Sequence, residues 1–88
     1  MIEVGTIVVN RGRGDWRRGK VVARVPAGSN GRRTALGLAL PGANWLPDTP
    51  PRPEASWLVQ IVDRRGKPRL RWPLVTGIVE ADEASAEV

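Results

Sequence analysis

Apolar and polar residues alternate with a period of two through most of the chain, and this pattern predicts β-strands rather than helices. The first such run, VGTIVVN at residues 4–10, is rich in β-branched side chains, which favour extended backbone. The same alternation predicts strands at residues 20–25, 34–40, 57–63 and 69–72, and a last short turn and strand at residues 74–80. It predicts a core that includes Ile7 or Val8 together with Val21, Leu38, Val59, Ile61 and Ile78. No segment predicts a helix.

Glycine and proline separate these strands. Residues 10–19 (NRGRGDWRRG) contain three glycines and predict a long irregular turn. Residues 41–53 contain five prolines and predict a semi-rigid extended loop, because proline cannot donate to a strand ladder. We therefore predict an all-β fold, a single small antiparallel barrel of about five strands over residues 1–80, since closing the sheet removes its exposed edges.

The charge of the chain is uneven. Its 14 Lys and Arg residues against 9 Asp and Glu residues give a net charge of +5, but residues 80–88 contain four acidic residues and no basic one. We expect residues 81–88 to form a disordered acidic tail, because they bury too little apolar area to offset the entropy of ordering. Residues 1–79 carry a net charge of +9, which predicts a polyanionic partner, either nucleic acid (DNA or RNA) or an acidic protein surface.

The basic residues form two clusters. The first surrounds Trp16 in the long turn and contains Arg11, Arg13, Arg17, Arg18 and Lys20. The second lies in and after a predicted hairpin turn and contains Arg64, Arg65, Lys67, Arg69 and Arg71. Because arginine binds phosphate with bidentate geometry, convergence of the two clusters at one rim predicts a nucleic-acid-binding surface. The alternative is an ordinary solvated polar face, and a GC-rich genome would also favour arginine over lysine.

The four tryptophans supply all the aromatic content. Trp57 and Trp72 alternate with apolar residues and are predicted to belong to the core. Trp16 and Trp45 lie in Gly- or Pro-rich loops, where each either caps the barrel or contacts a ligand. We assign Trp16, beside two arginines, to base stacking, and Trp45 to a protein partner.

The chemistry available for catalysis is limited. The chain has no Cys and no His, which excludes disulfides, thiol nucleophiles, thiolate and imidazole metal sites and the usual general base. Asp15 lies among five basic residues and predicts an ion-paired carboxylate with a lowered pKa, while Asp63 suits the first position of a turn. We predict no cofactor, no metal and no enzymatic activity.

Hydropathy gives no indication of a membrane protein. No apolar run approaches the roughly 20 residues of a membrane span, and the residues after Met1 are unlike a secretory signal. We expect a cytoplasmic protein of bacterial type without membrane contact.

Residues 5–25, GTIVVNRGRGDWRRGKVVARV, resemble the opening of SH3-like small barrels, in the KOW-type version found in ribosomal and transcription-elongation proteins. Gly5 precedes a Val-rich strand, a Gly-rich basic loop follows, and Gly19-Lys20-Val21 opens the second strand. This resemblance implies an SH3-like barrel.

A looser resemblance is to the plasmid-borne type B dihydrofolate reductases, which also have SH3-like barrels and end in a strand with an aromatic residue before Pro, as in Trp72-Pro73. Those enzymes line a tetrameric pore with Val-Gln-Ile-Tyr, where this chain has Arg69, Leu70, Arg71 and Trp72. The resemblance therefore implies the barrel without the active site.

Three functions remain open from the sequence. The first is a nucleic-acid-binding module that acts mainly through phosphate contacts. The second is a protein-interaction or accessory subunit, which docks on a larger complex or on a copy of itself. The third is a non-catalytic relative of the type B reductases.

Overall fold

The computed structural model of the protein describes residues 1–81 and contains one five-stranded antiparallel sheet. The strands are β1 (Ile7–Asn10), β2 (Arg18–Val25), β3 (Ser56–Val62), β4 (Pro68–Arg71) and β5 (Ile78–Glu80). One helix, α1 (Gly31–Gly37), and two 3-10 turns, Ala43–Trp45 and Val75–Gly77, complete the regular structure of this region. The prediction of a small, mostly β domain with about five short antiparallel strands is confirmed. The predicted acidic tail lies outside the described residues, apart from Ala81.

The strands are arranged in the order β4-β3-β2-β1-β5, so β2 lies at the centre and β4 and β5 form the edges. Each neighbouring pair is antiparallel. Within residues 1–81, no helix has the length and apolar character needed to cross a bilayer.

A β-bulge in β2 gives the sheet a core on each face. Val21 lies opposite Val59 and Ala23 lies opposite Leu58, which leaves Val22 as the extra residue. Val21 and Ala23 therefore face opposite sides of the sheet, although a regular strand would place them on the same side. Such a bulge also bends the strand and increases its twist.

The two faces carry separate apolar clusters. The first core cluster lies under α1 and the 3-10 turn Ala43–Trp45 and consists of Ala23, Val25, Ala35, Ala43, Leu46, Leu58 and Leu70. The second core cluster consists of Val8, Val21, Val59, Ile61 and Ile78, with Ile2, Trp16 and Trp57 packed against it. All five members of the second core cluster were predicted from alternation, and of the pair Ile7 and Val8 it is Val8 that is buried.

The strand predicted at residues 34–40 is wrong, and so is the core position predicted for Leu38. This region forms α1, and Leu38 is 57% exposed, whereas Ala35 is fully buried against the sheet. Asn30 caps the helix, because its side-chain Oδ1 accepts a hydrogen bond from the Arg33 backbone N–H at 3.0 Å. Ala and Leu also have high helix propensity, so the local pattern fits a helix as well as a strand, and the Asn30 cap and the packing of Ala35 on the sheet both favour the helix.

The contact between α1 and Trp72, the residue directly after β4, depends on a glycine. A Cβ atom added to Gly31 would lie 2.7 Å from Cε3 of Trp72, much closer than two carbon atoms can pack. The absence of a side chain at Gly31 therefore lets the first turn of α1 lie against the indole ring. The Pro-rich segment 41–53, which follows α1, contains the 3-10 turn Ala43–Trp45 and otherwise no strand or helix.

Candidate nucleic-acid interface

An ion pair joins the two basic clusters. The Arg71 guanidinium donates from Nε to Asp15 Oδ1 at 3.1 Å and from Nη2 to Asp15 Oδ2 at 2.9 Å. These two hydrogen bonds and the positive charge of Arg71 hold the pKa of Asp15 below its ordinary value. The ion-paired carboxylate predicted at Asp15 is thus confirmed, and it attaches the loop between β1 and β2 to β4.

Four basic residues from the two clusters line one concavity of about 530 Å³, which Ile61 and Val62 also border. Arg17 and Arg18 come from the first cluster, and Arg64 and Arg71 come from the second. The structure therefore brings part of each cluster to a common surface. We call this concavity the arginine groove.

A second carboxylate organises the hairpin between β3 and β4. Asp63 accepts hydrogen bonds from the backbone N–H groups of Lys67 at 2.9 Å and Arg65 at 2.8 Å, and from Nε of Arg69 at 3.2 Å. The backbone hydrogen bond from Lys67 is the largest cause of the lowered pKa of Asp63. The predicted turn role of Asp63 is confirmed.

The pairing partners of the arginines divide them into two groups. Arg69 lies opposite Ile61 and Arg71 lies opposite Val59, so the two share a face, but each is ion-paired with a carboxylate. Five other residues are exposed and form no ion pair with any carboxylate of residues 1–81, namely Arg17, Arg18, Arg64, Arg65 and Lys67. These five therefore present positive charge that is not ion-paired within residues 1–81.

Three members of the first cluster lie outside the arginine groove. Lys20 pairs with Gln60, which in turn pairs with Leu70, so Lys20 lies on the opposite face from the paired arginines of β4. Arg13 lines a neighbouring groove with Trp16 and Pro73. Arg11 is exposed, and its backbone N–H donates to the Gly77 carbonyl at 2.7 Å.

Three of the four tryptophans pack against the cores. Trp16 and Trp57 contact the second core cluster, and Trp72 contacts the first core cluster. The Trp72 indole also donates from Nε1 to Ser56 Oγ at 2.7 Å. Trp45 differs, because it is 79% exposed.

Arg52 is a functional candidate that the sequence pattern did not identify. Its guanidinium carbon lies 3.9 Å from the centroid of the Trp72 ring, and it donates to the carbonyls of Pro73 at 2.7 Å and Trp72 at 2.8 Å. Partial burial lowers the pKa of Arg52, and the negative charge of Glu54 partly opposes that shift. A lone arginine among prolines has no periodicity, so only the tertiary contacts reveal its role.

No group of three or more carboxylate side chains converges to a metal site among residues 1–81. Comparisons with protein-family models, with curated protein sequences and with solved structures gave no match, so the function is inferred from the geometry of this surface.

Proposed function

We propose that this chain is a small, basic, non-catalytic β-barrel module that binds nucleic acid mainly through contacts between its arginines and phosphate groups. The observation that carries the proposal is the convergence of Arg17 and Arg18 with Arg64 in the arginine groove. Arg17 and Arg18 lie at the junction of the β1–β2 loop with β2, Arg64 lies in the β3–β4 hairpin, and none of the three is paired with a carboxylate of residues 1–81.

The electrostatics of this surface favour a polyanion. Asp15 and Asp63 also line the groove, but their ion pairs are with Arg71 and Arg69 and not with Arg17, Arg18 or Arg64. Like charges held close together repel one another, and phosphate groups would relieve that repulsion while displacing condensed counterions from the nucleic acid. Arginine also offers a planar fork of donors that matches phosphate oxygens.

We propose further that the sheet is an SH3-like barrel with a KOW-type opening. The strand order β4-β3-β2-β1-β5 supports this assignment, as does the 3-10 turn Val75–Gly77 directly before β5. The bulge at Val22 supports it too, because a bulge bends the central strand and increases its twist, and a sheet must be bent and twisted to close into a barrel. In such a barrel the β1–β2 loop and the β3–β4 hairpin lie at one rim, which agrees with the lining of the arginine groove.

The test is the salt dependence of binding to duplex DNA, single-stranded DNA and RNA. Three phosphate contacts, by Arg17, Arg18 and Arg64, predict a slope of log affinity against log salt of roughly −3 on duplex and about −2 on a single strand. The double variant Arg17→Ala/Arg18→Ala should reduce the magnitude of the duplex slope by about two.

A matched control keeps the change in net charge the same. Arg24 and Arg33 are exposed arginines that do not line the arginine groove, so Arg24→Ala/Arg33→Ala should leave the slope nearly unchanged. The proposal fails if the wild-type protein binds none of the three nucleic acids at low salt. It also fails if the control double variant loses as much slope as the groove variant.

A further inference from the structure

We infer that Trp45 and Arg52 form a base-stacking site, so that the nucleic acid this module takes is single-stranded. This inference rests on the proposed nucleic-acid-binding function and adds the substrate class and a site distinct from the arginine groove. It also places base stacking at Trp45 rather than at Trp16.

Trp45 is the tryptophan whose ring is available to a ligand. It is 79% exposed, whereas Trp16, Trp57 and Trp72 are all partly buried against a core cluster. The Trp72 ring is further covered by Arg52 and approached by Gly31. Because Trp45 is largely exposed, most of its indole is accessible for stacking, and every nucleobase has a π-face that can stack on it.

The backbone under Trp45 is firmly held. Its neighbours Ala43 and Leu46 are buried members of the first core cluster. The Trp45 N–H donates to the Gly42 carbonyl at 3.0 Å within the 3-10 turn. The exposed ring is therefore presented by an ordered turn, and a ligand that stacks on it pays little additional entropy to order the protein.

The ring of Trp45 borders a concavity of about 470 Å³, which we call the Trp45 pocket. This volume lies within the range of about 300–1,000 Å³ that is typical of ligand pockets. Pro47, Leu46 and Trp72 supply apolar walls, and Arg52 supplies a cation. Backbone carbonyls hold Nη1 and Nη2 of Arg52 in place but do not neutralise it, and Arg52 has no ion pair with a carboxylate of residues 1–81, so its positive charge would attract a phosphate of a stacked nucleotide.

The Trp45 pocket and the arginine groove are neighbours. The ion pair between Asp15 and Arg71 lines both of them. One extended strand can therefore place a base on Trp45 while its neighbouring phosphates contact Arg17 and Arg18. A duplex cannot do so, because its bases are already stacked on one another and their faces are not exposed.

The experiment compares two labelled probes, a fluorescein-labelled oligo(dT) and a labelled DNA duplex of the same length, by fluorescence anisotropy. Trp45→Ala should bind oligo(dT) roughly 5- to 150-fold more weakly than wild type, with the salt slope unchanged. Its affinity for the duplex should stay within about twofold of wild type. Leu38→Ala is the matched control, because it also removes an exposed apolar side chain but lies outside the Trp45 pocket.

A second pair of variants distinguishes a loss of stacking from a loss of folding. Trp45→Phe retains an aromatic face and should keep most of the oligo(dT) affinity, while Trp45→Leu retains apolar bulk without that face and should behave as Trp45→Ala does. Their melting temperatures should match that of the wild type, because the side chain is exposed.

The failures of the two proposals are distinguishable. Wild-type protein that binds neither probe refutes the proposed function, and the base-stacking site with it. Wild-type protein that binds both probes, with Trp45→Ala unchanged on each, leaves the function standing and overturns the site; that is the result expected if Trp45 contacts a protein partner. Equal losses on both probes overturn the site as well.

Discussion

Asp15 in the β1–β2 loop and Arg71 in β4 are 56 residues apart in sequence and form a two-hydrogen-bond ion pair. The pair lines the arginine groove, the Trp45 pocket and the groove beside Pro73. It therefore positions the first basic cluster against the second while it neutralises one of the arginines. The guanidinium of Arg71 can therefore pair with a phosphate group only when Asp15 is removed or displaced.

Replacing Asp15 with Asn tests this compensation. The variant frees the charge of Arg71, so the salt slope for duplex DNA should become steeper by about one unit and the affinity at low salt should rise. The melting temperature should change little, because the Asp15 side chain is 72% exposed and surface ion pairs contribute little to stability. Asp48→Asn is the control, since it makes the same charge change at a carboxylate bonded to Asn30. Weaker binding by Asp15→Asn would show that loop order matters more than the charge of Arg71.

The stability of the protein should fall in acid. The pKa values of Asp15 and Asp63 are lowered in the folded protein from an ordinary value of 3.8. Each carboxylate therefore adds stability that is fully present above its unfolded pKa and is lost as the pH falls through its folded pKa. Because the chain has no His, the melting temperature should vary little between about pH 5 and 7 and fall below about pH 4. Melting curves of the wild type and Asp63→Asn across this range are the measurement; a melting temperature that rises on acidification would contradict it.

Two glycines at opposite ends of α1 should respond differently to the same substitution. Gly31→Ala places a methyl group against the Trp72 ring and should destabilise the protein by about 1–3 kcal/mol. Gly37→Ala meets nothing within 4 Å and should be neutral or stabilising by up to about 1 kcal/mol, because alanine favours a helix. Urea denaturation of both variants gives the comparison. Equal effects would mean that α1 does not lie against Trp72.

A pair of leucines tests the corrected core. Leu58 is fully buried in β3, and Leu58→Ala should lower the free energy of unfolding by about 2–5 kcal/mol. Leu38 is 57% exposed, and Leu38→Ala should stay within about 0.5 kcal/mol of the wild type. If residues 34–40 were a core strand, the two substitutions would have comparable costs, and denaturation midpoints would show it.

The sequence by itself determined the features that depend on neighbouring residues. Alternation located all five strands of the sheet, because a period of two is the property of an extended chain with one buried face. The Asp63 turn also followed from local chemistry, since its side chain bonds the backbone two and four residues ahead. The two basic clusters could also be predicted from the sequence, because the members of each cluster are close together in the chain.

Only the tertiary structure decided features that depend on distant residues. Residues 34–40 fit a strand by pattern, but the cap at Asn30 is itself held by Asp48 and Thr49, and Ala35 packs on a sheet that the segment does not join. The bulge at Val22 likewise could not be predicted from the sequence pattern, because Val21, Ala23 and Val25 keep a period of two along β2.

The candidate functional sites also divide into features that the sequence predicts and features that only the folded structure shows. Charge clustering predicted a basic surface. Which of its arginines are ion-paired depends on tertiary contacts, because the carboxylate that pairs with Arg71 lies 56 residues away in the sequence. The exposure of Trp45 and the stacking of Arg52 on Trp72 depend on how a proline-rich segment lies across the sheet. Such a segment has no period that relates its residues to a buried face, so the contacts made in the folded chain decide the role of each side chain.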